Sequence, residues 1–190
     1  MKKKDILHDI YDFTPDDKAI IDISLETSSD VFNSFDKKTS YYKRDLDQDF
    51  EDYLVESVKE LDGHPFIIRL NIENGFDGII EDPIIKAIHN HFRYEYWREK
   101  RNVSKELKKF LYLTLLGTAL MAFYYEQYSL IKNFDSVSMY SKLIIEGIDI
   151  AGWVALWEAF TCIIFGFSPI NKKLRHYKSL SQATIEVKKA

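Results

Sequence analysis

The chain has 190 residues, room for one small soluble domain plus two membrane spans. Its mean hydropathy of -0.27 averages a charged front with an apolar back, so the figure does not exclude a membrane protein. A single cysteine excludes a disulfide framework and a cysteine-based metal site, and the net charge of -4 conceals a strong asymmetry along the chain.

The opening MKKKDILHDIYDF starts basic, but Asp5, His8, Asp9 and Asp12 interrupt any apolar run, so it reads as irregular chain and not as a cleaved signal. Residues 18–25, KAIIDISL, place Ile21, Ile23 and Leu25 on one face of a strand. The polar stretch 26–44 reads as a surface loop. Residues 45–61 put Phe50, Leu54, Val58 and Leu61 at helical spacing behind an acidic first turn, the pattern of an amphipathic helix. Asp62-Gly63-His64-Pro65 breaks it, and residues 66–72, FIIRLNI, form a second strand. Asn74-Gly75 and Asp77-Gly78 mark turns, and Asp82-Pro83 starts a helix.

No glycine or proline follows Pro83 until Gly117, so one helix can run from the soluble part into the membrane, with Asn102-Val103-Ser104 as its one candidate interruption. Residues 110–128 form a short first span with Phe123, Tyr124, Tyr125 and Tyr128 as an interfacial belt. Residues 143–167, LIIEGIDIAGWVALWEAFTCIIFGF, form the second, which Pro169 is expected to stop. Residues 98–109 carry six basic residues against two acidic ones, and the tail is basic again. The loop between the spans has only Lys132 and Lys142, so both termini are expected on the cytoplasmic side. The basic segment 171–180, NKKLRHYKSL, is expected along the headgroups, with Leu174, Tyr177 and Leu180 roughly on one side. The closing ATIEVKK could add a strand to the soluble sheet, and two strands alone would otherwise favour pairing with a second copy.

Small residues recur every fourth position in both spans, Thr114, Thr118 and Ala122 in the first and Gly147, Ala151, Ala155 and Ala159 in the second. Such stripes let helices approach closely in lipid, and they are the candidate helix interface. Glu158 falls within the second stripe's arc, close to the middle of its span. A carboxylate at that depth invites a functional reading as an ion or proton site; the plainer reading is interhelical glue, with Thr161 or the indole of Trp153 or Trp157 as partner. Glu146 and Asp149 share another face. With Glu126 they could ring the outer mouth of a pore, or simply reach water and set helix depth.

Asp45, Asp47, Asp49 and Glu56 imitate a calcium loop, but Phe50 stands where the loop needs glycine, so they read as a solvated helix start. His91 and Glu95 are the one metal-compatible pair involving the His89/His91 segment, too few ligands for a metal site. Arg93, Tyr94, Tyr96, Trp97, Arg98 and Arg101 interleave aromatic and basic residues just before the membrane, which favours lipid headgroups over nucleic acid. No nucleophile–base pattern, phosphate loop or dinucleotide motif is present, so neither an enzyme nor a cofactor is expected.

Residues 152–158, GWVALWE, the basic exit from Pro169 to Tyr177 and residues 87–92, AIHNHF, give the chain a resemblance to uncharacterised small bacterial two-span membrane proteins. That resemblance implies a bacterial inner-membrane location and carries no activity. The expectation is an α+β membrane protein in which a small cytosolic β-α-β-α domain (1–109) precedes a two-helix transmembrane hairpin (110–167) and a basic cytosolic tail (168–190). Its expected role is an anchor presenting an oligomerising domain to a cytosolic protein partner. The alternative is a small oligomeric channel or membrane-permeabilising effector working through Glu158.

Overall fold

The computed structural model describes residues 3–36, 40, 43–73, 81–131 and 138–189, so the turns expected at Asn74-Gly75 and Asp77-Gly78 lie outside the described residues. The elements are α1 (Lys3–Ile10), β1 (Asp12–Phe13), β2 (Ala19–Leu25), a 3-10 turn (Ser28–Val31), α2 (Gln48–Leu61) and β3 (Phe66–Ile72), then α3 (Glu81–Ile131), α4 (Met139–Thr161), a π-helical turn (Cys162–Phe167), α5 (Ser168–Leu180) and β4 (Thr184–Lys189). They form two compact units. One comprises Met1–Arg98 with Lys173–Ala190, and the other Glu99–Lys172.

The first unit is a four-stranded sheet in the order β1-β2-β3-β4. β2, β3 and β4 run parallel, with Ile21 opposite Ile68 and Ile68 opposite Ile185, while β1 pairs antiparallel with the start of β2. Period-two alternation sends Ile21, Ile23, Ile68, Leu70 and Ile72 into the core and leaves Ile185 and Val187 packed against it. α2 lays Phe50, Leu54, Val58 and Leu61 in the same core. Its start is capped by Asp47, whose Oδ1 accepts from the backbone N–H of Asp49 at 3.0 Å and of Phe50 at 3.4 Å. It ends at Asp62, whose φ of 47° is left-handed, followed by Gly63 at 92°.

Several expectations need correction. The opening is a helix: Leu7 and Tyr11, one turn apart, meet the core, and His8 and Asp9, which broke the apolar run, form its solvent side. In the stretch read as loop, the 3-10 turn buries Val31 and Phe32, and Phe32 bridges to Leu46. α3 passes through Asn102-Val103-Ser104 without a break; Asn102 turns back along the helix to donate to Glu99 at 3.0 Å. Pro169 does not stop the chain's helical path. It falls in the first turn of α5, where proline is tolerated because the first N–H groups of a helix have no partner within it, and a π-helical turn precedes it.

The apolar side of α5 does not face outward either. Tyr177 and Leu180 are buried in the same core as Phe92, Ile84 and Ile88, with the Tyr177 and Phe92 rings 6.2 Å apart. Its apolar stripe, Tyr177 and Leu180, finds the protein's own core first. β4 then completes the sheet, as the ATIEVKK pattern suggested. The 99–172 unit is therefore inserted into the connection between β3 and β4.

Candidate functional site

The 99–172 unit is built from the second half of α3, α4 and the π turn. Two helices, 81–129 and 139–180, contain windows apolar and long enough to cross a membrane by length and composition. Only 6% and 24% of those windows are buried, where the core helix of a soluble protein would be mostly covered. The exposed side chains include Leu111, Leu115, Phe123, Trp153, Trp157 and Phe160.

The helices cross at two glycines. A Cβ on Gly117 would lie 2.8 Å from Leu156 Cγ and 3.0 Å from the Gly152 carbonyl oxygen, and one on Gly152 would lie 2.9 Å from Met121 Cγ. These pairings run antiparallel. The packed face of α4 is Gly152, Ala155 and Ala159, with Cys162 buried beyond it. The expected stripe is thus divided: Ala155 and Ala159 are on this face, whereas Gly147 has nothing within 4 Å of its Cβ position and Ala151 is exposed. On α3, Thr118 and Ala122 are exposed, Thr114 is half-buried, and Gly117 holds the contact. The Thr114 and Thr118 hydroxyls donate to their own helix, to the carbonyls of Phe110 and Thr114. Four-residue spacing drifts about 40° per step around a helix, while a face packed on a neighbour alternates steps of three and four. Residues 152, 155, 159 and 162 follow the second rule.

Glu158 reaches α3, but its partner is neither Thr161 nor an indole. Its Oε1 accepts from Lys109 Nζ at 3.0 Å, and both side chains are half exposed. The Thr161 hydroxyl donates instead to the Glu158 backbone carbonyl at 2.8 Å. Because the helices run antiparallel, Glu158 stands level with Lys109, the residue immediately before the first apolar run. The carboxylate is thus paired with a lysine at one end of the first apolar run. Beyond the pair, Glu106, Lys109, Thr161, Cys162, Phe165 and Gly166 line an open crevice of about 500 Å³. Asp149 is half-buried and Glu146 exposed, both electrostatic neighbours of Tyr124; Glu126 is exposed.

In the sheet-bearing unit, the candidate polar residues serve structure. His91 Nε2 meets Glu51 Oε2 at 3.0 Å, joining α3 to α2, whereas Glu95 is bridged by Arg98, so the His91–Glu95 pair does not form. His89 Nε2 meets the Ala183 carbonyl at 2.9 Å and tethers the tail. Among the described residues, no group of three His, Cys, Asp or Glu side chains is placed to hold a metal. Tyr94 and Trp97, both exposed on α3, have ring centroids 6.3 Å apart with the rings tilted by 31°, and Arg93 is exposed as well. Between the end of α1, β2 and the outward side of α2, a crevice of about 430 Å³ is lined by His8, Asp9, Tyr11, Asp22, Glu56 and Glu60. There the Tyr11 hydroxyl donates to Glu60 at 2.7 Å. Burial first, then that hydrogen bond, pushes the phenol up to about 12.

Set against family models, curated proteins and solved structures, the chain finds no match in any of the three comparisons. The likeness of residues 152–158 to small bacterial two-span proteins therefore assigns no family.

Proposed function

We propose that this protein is an integral membrane anchor in which residues 110–128 and 143–167 form a two-span hairpin. The hairpin carries an oligomerising α/β domain that meets a protein partner on the cytoplasmic face of a bacterial inner membrane. The observation that carries the reading is the insertion. β2 and β3 precede the apolar hairpin, α5 and β4 follow it, and all belong to one sheet and one core. Segments that fold into one core lie on one side of a bilayer, so the hairpin between them crosses an even number of times, and two apolar helices supply two crossings. The basic flanks favour the cytoplasmic side.

The channel alternative needs Glu158 on an ion path. Its carboxylate is instead paired with Lys109 of the neighbouring helix, which supports the role of interhelical glue. Reconstitution of the purified chain into liposomes tests both readings at once. The anchor reading expects the protein to float with the vesicles after an alkaline carbonate wash and to pass no ions, wild type and Glu158→Gln alike. Release by carbonate contradicts membrane insertion. Ion flux that Glu158→Gln abolishes contradicts the glue role and establishes the channel.

A further inference from the structure

β4 is the last strand of the sheet, and among the described residues no strand pairs with its outer edge. An open strand edge presents a row of backbone donors and acceptors ready for another strand. The side chains of β4 alternate strictly. Ile185 and Val187 are half-buried on the core side, while Thr184, Glu186 and Lys188 are exposed on the other. That second face is a charged row: Asp22, Arg69 and Glu186 are in register across β2, β3 and β4, with Arg69 lying 3.8 Å from Asp22 and 3.7 Å from Glu186.

We infer that the occupant of this edge is a second copy of the chain, whose own β4 pairs antiparallel about a two-fold axis at Val187. Residues directly opposite in an antiparallel pair share a face. With the axis at Val187, Glu186 meets the partner's Lys188 and Lys188 meets the partner's Glu186, while Val187 meets the partner's Val187 on the core side. A shift of one residue puts like charges opposite each other, at Glu186 or at Lys188. The edge is thus complementary to itself in one register, and pairing joins two four-stranded sheets into one. This surface rests on the reading of the α/β unit as an oligomerising domain and gives that reading a location.

The test uses the full chain in detergent micelles, with E186K and K188E purified separately and then mixed. Each variant alone sets like charges opposite one another twice, and its dimer should dissociate about tenfold more readily than that of the wild type. The mixture should recover wild-type affinity, because the Lys pair of one variant then faces the Glu pair of the other; a mere folding defect would not be repaired by mixing. Val187→Cys in a Cys162→Ser background should form a disulfide-linked dimer on oxidation. A monomeric wild type, a dimer indifferent to both charge changes, or a mixture no tighter than its components would overturn the proposal. The liposome experiment reads insertion and not β4, so either idea can fail alone.

Discussion

Gly117 and Gly147 are the same residue type in comparable helical runs, yet the structure gives them opposite demands. Alanine at position 117 would press on the Gly152 carbonyl and on Leu156, so Gly117→Ala should destabilise the helix pair by about 1–3 kcal/mol. Alanine at 147 enters open space and gains helix propensity, so Gly147→Ala should be neutral or stabilise by up to about 1 kcal/mol. Thermal unfolding of both variants in one detergent measures the contrast, and equal shifts would refute the packing. Tyr11 makes a prediction about pH. With its phenol raised to about 12 in the fold against 10.0 unfolded, the folded state favours the protonated form. Its contribution is therefore complete below pH 10 and fades as pH rises toward 12. Urea unfolding at pH 9 and pH 11.5 should show a smaller alkaline loss for Tyr11→Phe than for the wild type; equal losses would remove Tyr11 from the account. At this scale the sequence allowed Glu158 to be singled out, but not its partner. Lys109 lies 49 residues away, and only the antiparallel register set by Gly117 and Gly152 brings the two together.

Among the elements, β2, β3, α2 and the long α3 were legible because apolar residues recur at period two or at helical spacing over enough residues to be unambiguous. α1 was not, since a short helix with one buried leucine looks like a polar linker. α5 was legible only as a basic segment with one apolar side, and that side was assigned to the wrong neighbour. A stripe such as Tyr177 and Leu180 fits a lipid surface and a protein core equally well, and only the presence of Phe92, Ile84 and Ile88 as neighbours decides between them. Leu180 is fully buried, so Leu180→Ala should cost the sheet-bearing unit about 2–5 kcal/mol. If α5 served a membrane surface instead, the substitution would weaken vesicle binding and leave denaturant unfolding unchanged.

For the molecule as a whole, the consequential feature is that the chain leaves the α/β unit after Arg98 and returns to it at Lys173. Hydropathy and basic flanks pointed to a hairpin; the parallel pairing of β3 with β4 adds that the segments on either side of it belong to one sheet. The most direct measurement is cysteine labelling with a membrane-impermeant maleimide in sealed vesicles of known orientation, on a Cys162→Ser background. Single cysteines would replace Asp16 before the hairpin, Ser138 between its helices and Gln182 after it, all exposed positions. The account predicts that positions 16 and 182 label from the cytoplasmic side and position 138 from the opposite one. Labelling of all three from one side, or of 16 and 182 from opposite sides, would contradict it.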